Sequence, residues 1–386
     1  MKMKKTVFLI RNVAPFEYGG GETYQLMLAD NLKRHMVEVY IITASNKLLG
    51  EAKKRGIKTI RSPYIKRQNW SGWRNILFFV YCYKIFKQRR WYKQIFDRYS
   101  PDVINVQSRD DWIAATIVAK KKGIKVLWTD HMDFRSWVLV NVNNRFKNWI
   151  GKWILRCAKN VDVIVMISDY ERKCFEKMVR PRVFSNIKTI KNGVEDKYEE
   201  YKTTKTKKNS ICYIGRIVDY KGIGDLITAF DEVNHIYVNM KLNIYGDGED
   251  FERFKVLAKN NRNIKFYGRT DEPLKKMAEN EIFVLPSYRE GLSLSLLDAA
   301  MMSRKIIASN IDGNPEVIVN RKTGLLVSAG NVQQIKTALV WMIEHTKNAQ
   351  LLAKNVRKKY EIEFDFEKIF EKKMLPLYNL KKEEEK

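Results

Sequence analysis

Short apolar runs that each end in a glycine or polar turn, followed by an amphipathic stretch, recur along the whole chain, and this alternation constrains the fold most. Strands that alternate with helices are covered on both sides, so the pattern predicts parallel sheets with helices on both faces, a doubly wound α/β architecture. Ile211 to Phe230, ICYIGRIVDYKGIGDLITAF, has every part of it: an apolar strand, a Gly turn, then an amphipathic helix. At the start of the chain, Lys5 to Ile10 reads as a strand and Thr23 to Leu32 as a helix. A chain of 386 residues with 45% hydrophobic content has length for two domains with their own cores. The polar run Glu195 to Ser210, EDKYEEYKTTKTKKNS, reads as the linker, which places one domain at 1–195 and another at 196–360.

Pro286 to Pro315, PSYREGLSLSLLDAAMMSRKIIASNIDGNP, carries the strongest chemical signal. Glu290 and Asp298 bracket a Gly-Leu-Ser turn that opens an apolar-periodic segment, hence a loop and a helix N-terminus. Main-chain N–H groups of Gly291, Leu292, Ser293 and Leu294 lack intrahelical partners in such an opening, and the helix dipole favours negative charge there. A diphosphate fits, and about 12 Å of helix between the two acids would let them hold hydroxyls on either side of it. By itself the segment reads equally well as an ordinary capped helix. Upstream, Arg216 and Lys221 lie on one strand-to-helix loop and are able to converge on a pyrophosphate, the first as a planar fork and the second as a point charge. Loop cations are also commonly just solvated. The order of parts decides between these readings: a cationic turn, then LNIYGDGED, then IFVLPS and the acidic helix opening is how a doubly wound sheet gathers ligand groups at its strand carboxyl ends.

The ordered set resembles the retaining glycosyltransferases of family 4, whose GT-B architecture has two Rossmann-like domains facing across a cleft. The matching positions are Gly19-Gly20-Gly21-Glu22, Asp102-Val103-Ile104, His131, Ser168, Asn192-Gly193, Gly215-Arg216, Lys221-Gly222, Gly246-Asp247-Gly248, Gly268, Pro286 through Glu290, Pro315-Glu316 and Gly324 to Val327. The resemblance implies that Arg216 and Lys221 bind the donor diphosphate, that Glu290 faces the transferred sugar, and that Asp298 binds the ribose. Asp298 stands where relatives usually have Glu, and Gly291-Leu292-Ser293 where they commonly have Gly-Phe-Gly. It also implies that His131 supports the reacting centre beside the donor sugar, that Gly20 and Gly21 are donor-adjacent, and that the last helix, within 361–386, crosses back to the first domain. A UDP-sugar donor follows from family frequency, and a saccharide or lipid-linked acceptor in capsule or lipopolysaccharide synthesis from family membership.

The chemistry expected is departure of a diphosphate with growing negative charge, stabilised by Arg216, Lys221 and a helix N-terminus. No cofactor and no essential metal is expected, since Asp110-Asp111 and Asp247-Gly248-Glu249 are poorly placed as a metal-binding Asp-x-Asp pair. The glycine triplet lacks the G-x-G-x-x-G spacing of a dinucleotide fingerprint, so a nicotinamide cofactor is not expected either. Cys82, Cys157, Cys174 and Cys212 lack metal-ligand spacing and read as reduced thiols of a cytoplasmic protein.

Charge is unevenly spread. Residues 1–200 hold 40 Lys and Arg against 19 Asp and Glu, net +21, and residues 201–386 hold 32 against 25, net +7. Within 51–100, 14 basic and 2 acidic residues interleave with Trp70, Trp73, Phe78, Phe79, Trp91, Tyr92 and Phe96, and Arg145 to Lys159 repeats the pattern with Trp149 and Trp153. Basic aromatic helices suit the surface of an anionic bilayer, here the inner face of the cytoplasmic membrane, although helices of a doubly wound domain bury aromatic faces anyway. The longest apolar run, Ile76 to Tyr83, is too short to span a bilayer. A pI near 9.7 also admits nucleic-acid binding, but no helix-turn-helix, zinc or RNA-binding motif accompanies it. A sugar-nucleotide epimerase, a phosphorylase or an inactive binding homologue shares the architecture. This chain lacks the additional acids the first would need, and the second needs a pyridoxal-binding lysine and a longer chain.

Overall fold

The computed structural model describes residues 5–13, 18–64, 76–131, 145–180 and 183–380. Trp70 and Trp73, named above, lie outside them. The chain forms two compact units, Met1–Lys191 with Phe370–Lys386, and Asn192–Ile369.

The first unit is built on a parallel seven-stranded sheet ordered β3-β2-β1-β4-β5-β6-β7, with β1 Thr6–Ile10, β2 Glu38–Thr43, β3 Lys58–Arg61, β4 Val103–Val106, β5 Lys125–Asp130, β6 Val163–Met166 and β7 Ile187–Thr189. The inner strands β1, β4 and β6 are buried along their whole length, as strands covered on both faces must be. Their core includes Trp112 and Trp128, stacked with ring centroids 4.6 Å apart. Each indole N–H is satisfied, Trp128 donating to Thr116 Oγ1 and Trp112 to the Val106 carbonyl, so the rings are buried without stranding a donor. The first helix runs Gly20–Arg34, three residues earlier than the apolar periodicity indicates, because Glu22 bonds the Gly19 N–H and starts the helix before its apolar face begins.

The C-terminal segment belongs to this unit from Phe370 onward. It packs as a π-helical turn Phe370–Met374 and a 3-10 turn Leu375–Tyr378, and the Tyr378 hydroxyl accepts a buried hydrogen bond of 2.8 Å from Asn105 on β4.

The second unit repeats the topology with six parallel strands ordered β10-β9-β8-β11-β12-β13: β8 Lys207–Ile214, β9 Lys241–Tyr245, β10 Ile264–Phe266, β11 Asn280–Leu285, β12 Lys305–Ser309 and β13 Leu325–Val327. The run 195–210 is not the bare linker its polarity suggests. Tyr198–Tyr201 forms a helical turn, Asp196 pairs with Arg357 at 2.6 Å, and Lys207 already begins the central strand β8. The first three residues of that strand are exposed, which explains their polarity; Asn209 adopts a left-handed φ of 57° where the pairing with β11 shifts register.

In both sheets the chain starts in the middle, winds to one edge, and returns to wind to the other. The strand order reverses between β1 and β4, and again between β8 and β11. Loops leaving the carboxyl ends of those strands diverge to opposite faces and leave a crevice, the usual ligand position of such sheets.

Candidate functional site

In the second unit, the loops after β8 and β11 are joined at this crevice. Gly222 has φ +67°, and a Cβ there would lie 2.1 Å from the Pro286 carbonyl oxygen, so only glycine lets the two loops approach this closely. The Tyr288 N–H bonds the Tyr220 carbonyl at 2.8 Å. The result is a short contact between Lys221 Nζ and Glu290 Oε1, 2.6 Å, with both side chains largely buried at 14% and 7% exposure. Ser287 Oγ donates to the same oxygen at 2.7 Å, so Glu290 Oε1 is satisfied twice and Oε2 carries none of these bonds.

Arg216 lies on the same loop and is exposed; its guanidinium bonds the Tyr220 hydroxyl and lies over that ring, 5.8 Å from the centroid. The structure thus brings Lys221 and Glu290 together, while the hydrogen bond of Arg216 stays within its own loop.

The helix Leu294–Met301 opens directly after Glu290. Its N-cap, Ser293, makes no side-chain cap, and no acidic residue occupies its first turn. Leu297 N–H is the first to bond back, to the Ser293 carbonyl at 3.1 Å. Among the described residues, the N–H groups of Gly291 through Ser295 have no protein acceptor. The turn is held from behind: Glu290 N–H bonds Asp312 Oδ2 at 2.8 Å, and Gly313 N–H bonds the Gly291 carbonyl at 3.2 Å. A Cβ on Gly313 would lie 2.3 Å from that carbonyl oxygen.

Asp298 is on the second turn of this helix, part-buried, its carboxyl without a hydrogen-bond partner among the described residues. Burial pushes its carboxyl up to about 7, opposed in part by Lys197. Ser287, which bonds Glu290, lies within the matching run Pro286 through Glu290 but without a role read from it, and Asp312 is a residue that motif reasoning did not single out; the role of each depends on contacts made only in the folded chain.

In the first unit, His131 follows β5. Its Nε2 lies 3.1 Å from Gln107 Oε1, and its ring meets Tyr24 edge-on at 4.7 Å. Gln107 Oε1 accepts only, so Nε2 carries the proton and Nδ1 is left as an acceptor, an assignment that follows from the network. Burial, with the charge of Arg11 adding to it, depresses the imidazole well below its usual pKa, so it is neutral at physiological pH.

Gly20 and Gly21 begin the first helix, and the space beside Gly21 is filled by the chain itself: a Cβ would lie 2.1 Å from Arg11 Nη2. Arg11 Nε bonds Glu22 Oε1 at 2.6 Å, and Glu22 Oε2 accepts from Gly19 N–H at 2.7 Å. Burial works against ionisation of Glu22, but the charge and hydrogen bond of Arg11 and the backbone bonds outweigh it and hold the carboxyl below its ordinary range.

Asp111 sits inside the unit, receiving bonds from Asn12 (2.9 Å), Ser108 (2.5 Å), Tyr92 (2.7 Å) and Gln88 (3.2 Å), which makes it a structural node. Among the described residues, no group of three or more His, Cys, Asp or Glu gathers as a metal site, and the four cysteines are free. No described helix is long and apolar enough to cross a membrane.

Residues 194–359 match the family model of glycosyl transferases group 1, and residues 18–198 that of glycosyltransferase family 4. An uncharacterized glycosyltransferase of Methanocaldococcus jannaschii is 29% identical over 309 residues, 74% of this chain and 77% of that one. A capsular polysaccharide biosynthesis glycosyltransferase of Staphylococcus aureus is 27% identical over 201 residues, 51% of this chain and 52% of the relative. Among solved structures, S. aureus TarM, crystallised as a variant with fondaparinux, α-GlcNAc-glycerol and UDP, superposes with a TM-score of 0.77 at 14% identity, covering 97% of this chain and all of that one, which shows a shared fold.

Proposed function

We propose, from the premise that the chain belongs to the glycosyltransferases of group 1 and family 4, that it moves a hexose from a UDP-sugar to a saccharide or lipid-linked acceptor, retaining the anomeric configuration and needing no metal. The observation that carries this reading is the Lys221–Glu290 contact at the switch point of the second sheet, beside a run of unbonded amides. Breaking the bond from anomeric carbon to phosphate oxygen leaves a diphosphate whose charge grows along the reaction. Lys221 and the helix N-terminus, held by their own contacts, answer that charge, and the exposed Arg216 turns to it from the same loop. Glu290, with Oε1 held by Lys221 and Ser287, keeps Oε2 to accept from a sugar hydroxyl, and Asp298, on the second turn of that helix, accepts from the ribose. A neutral His131, with Nδ1 unbonded among the described residues, accepts a hydrogen bond rather than acting as a cation or nucleophile.

The capsular relative and the UDP in TarM support a UDP-sugar and a cell-surface glycan. Thermal-shift screening against UDP-, GDP- and ADP-sugars tests the donor, since a ligand of the native state raises the midpoint by mass action. No shift with any of them ends the reading. Transfer assayed in excess chelator tests metal independence, and the anomeric coupling constant of the product tests retention.

An anionic membrane surface is part of this proposal. On the helix Ile76–Tyr99, Phe79, Tyr83 and Phe86 are 72%, 58% and 54% exposed, with Lys87 over the Tyr83 ring and Arg90 over that of Phe86. Aromatic rings at the interface and cations among head groups are the pairing such a surface takes. Sedimentation with anionic liposomes at low and high salt tests it, and absence of binding at low salt refutes it.

A further inference from the structure

The geometry points to Asn192 as a positioning residue that aims the phosphate-facing amides of the Gly291–Leu294 turn; this deepens the donor-site reading and rests on it. Asn192 is buried, and its Nδ2 donates to the Leu292 carbonyl at 3.0 Å across 100 residues of sequence. Its Oδ1 is buried without a hydrogen-bond partner among the described residues. Flipping the amide would set that oxygen against the Leu292 carbonyl, acceptor against acceptor, so the carbonyl fixes which way the side chain faces.

In a planar trans peptide group the C=O and N–H point in opposite directions. Holding the Leu292 carbonyl therefore turns the Ser293 N–H away from Asn192. Gly313 does the same to the preceding peptide through the Gly291 carbonyl, and Asp312 takes the N–H of Glu290, so three of the four peptide groups between Arg289 and Ser293 are tied at one end. What stays unbonded, the N–H groups of Leu292 and Ser293, is unbonded because its partner oxygens are held.

Asn192 does not ride on a free loop. A Cβ on the next residue, Gly193, would lie 2.6 Å from the Phe364 carbonyl oxygen, and Val194 exchanges backbone bonds with Phe364 (3.2 Å) and Phe366 (3.0 Å). The side chain is thus anchored on a paired backbone, as a group that sets the direction of another must be.

The test separates aim from mere packing. Affinities of UDP, GDP and ADP and of the parent nucleosides are measured by calorimetry or competition for the unaltered chain, Asn192→Ala and Asn192→Asp, with the thermal midpoint as the folding control. Losing the tether leaves the Ser293 amide free to turn, and one charge-assisted bond is expected to go, weakening the bound diphosphate roughly ten- to a hundredfold while the nucleoside is held as before. Asn192→Ala removes the donor without adding charge. Should it fail to fold, the near-isosteric Asn192→Asp is read in its place. A folded variant that binds the diphosphate as tightly as the unaltered chain, or that loses nucleoside and diphosphate in the same proportion, overturns the proposal. An unaltered chain that binds none of the three diphosphates overturns the donor-site reading, and this proposal with it.

Discussion

The two sheets have the same strand order and the same switch point, yet the helix that opens beside each has a different fate. In the first unit, Glu22 folds back on the start of its own helix, bonding the Gly19 N–H and neutralising Arg11, and the guanidinium fills the space a side chain at position 21 would need. The anion site is occupied by the protein. In the second unit the helix at Leu294 has no acid in its first turn and no side-chain cap, and the acid nearby, Glu290, is held in the preceding loop by Lys221 and Ser287. There no side chain of the described residues fills the anion site, and its counter-charge is already in place. Topology supplies the crevice; whether a ligand or the chain fills it depends on where one carboxylate sits.

Exchanging one cation on each side breaks this comparison most directly. Lys221→Ala should lower kcat/KM for the nucleotide sugar by roughly a hundred- to a thousandfold, the scale of losing one preorganised charge at the leaving group, and should lower the midpoint as well, because it leaves Glu290 buried without its cation. Arg11→Ala should cost stability alone. It strands Glu22 in the interior and is expected to cost about 3 kcal/mol of stability by denaturant titration, with diphosphate affinity preserved. Equal losses of activity in the two variants would mean that both crevices bind the donor.

His131→Ala should cut kcat by up to about a hundredfold while leaving the Kd for UDP nearly unchanged, because the imidazole is in the first unit and the diphosphate groups in the second. A parallel rise in Kd would show that the ring holds the donor rather than the reacting centre.

How much of this was legible from the chain alone follows from the range of each interaction. Alternating strands and helices are a local pattern, so the architecture could be read directly, and Lys221, Glu290 and Asp298 fall in an ordered series that a family preserves. The helix start at Gly20 was missed because its cause is one capping carboxylate rather than periodicity. The run 195–210 passed for a linker because the exposed first residues of β8 are polar although their backbone is paired. Ser287 lies in the matching run before Glu290, but its bond to that carboxylate is a property of the folded loop, and Asp312 carries no signal of its own; it matters because the fold brings it to the Glu290 N–H. The glycine triplet was legible as a close approach, but not its partner, since nothing near residue 21 announces that Arg11 will lie there.

Gly21→Ala sharpens that last point. The added methyl group must displace a guanidinium locked to Glu22, and about 1–3 kcal/mol of stability should be lost in a denaturant titration with no change in UDP affinity. A loss of UDP affinity at unchanged stability would make this glycine a ligand contact instead.

The smallest effect expected concerns two carboxylates that burial shifts in the same direction. Asp111 is surrounded by donors from Asn12, Ser108, Tyr92 and Gln88, whereas Asp298 has none among the described residues and is pushed up to about 7. For Asp298 the folded state holds its proton over a range where the unfolded chain, with a value of 3.8, has released it. The contribution of Asp298 to stability must therefore fall as pH rises from about 4 to 7 and level off above. Asp298→Asn removes that penalty. Allowing for its partial exposure, the variant should be about 1–2 kcal/mol more stable than the unaltered chain at pH 8, a few degrees in midpoint, and no different at pH 4. Asp111→Asn should destabilise at pH 8, since an amide cannot accept all four donors. Added UDP decides what the Asp298 penalty is for: if the carboxylate accepts from the ribose, the nucleotide should stabilise the unaltered chain more than Asp298→Asn at pH 8, and equal stabilisation would leave Asp298 a buried acid with no part in binding.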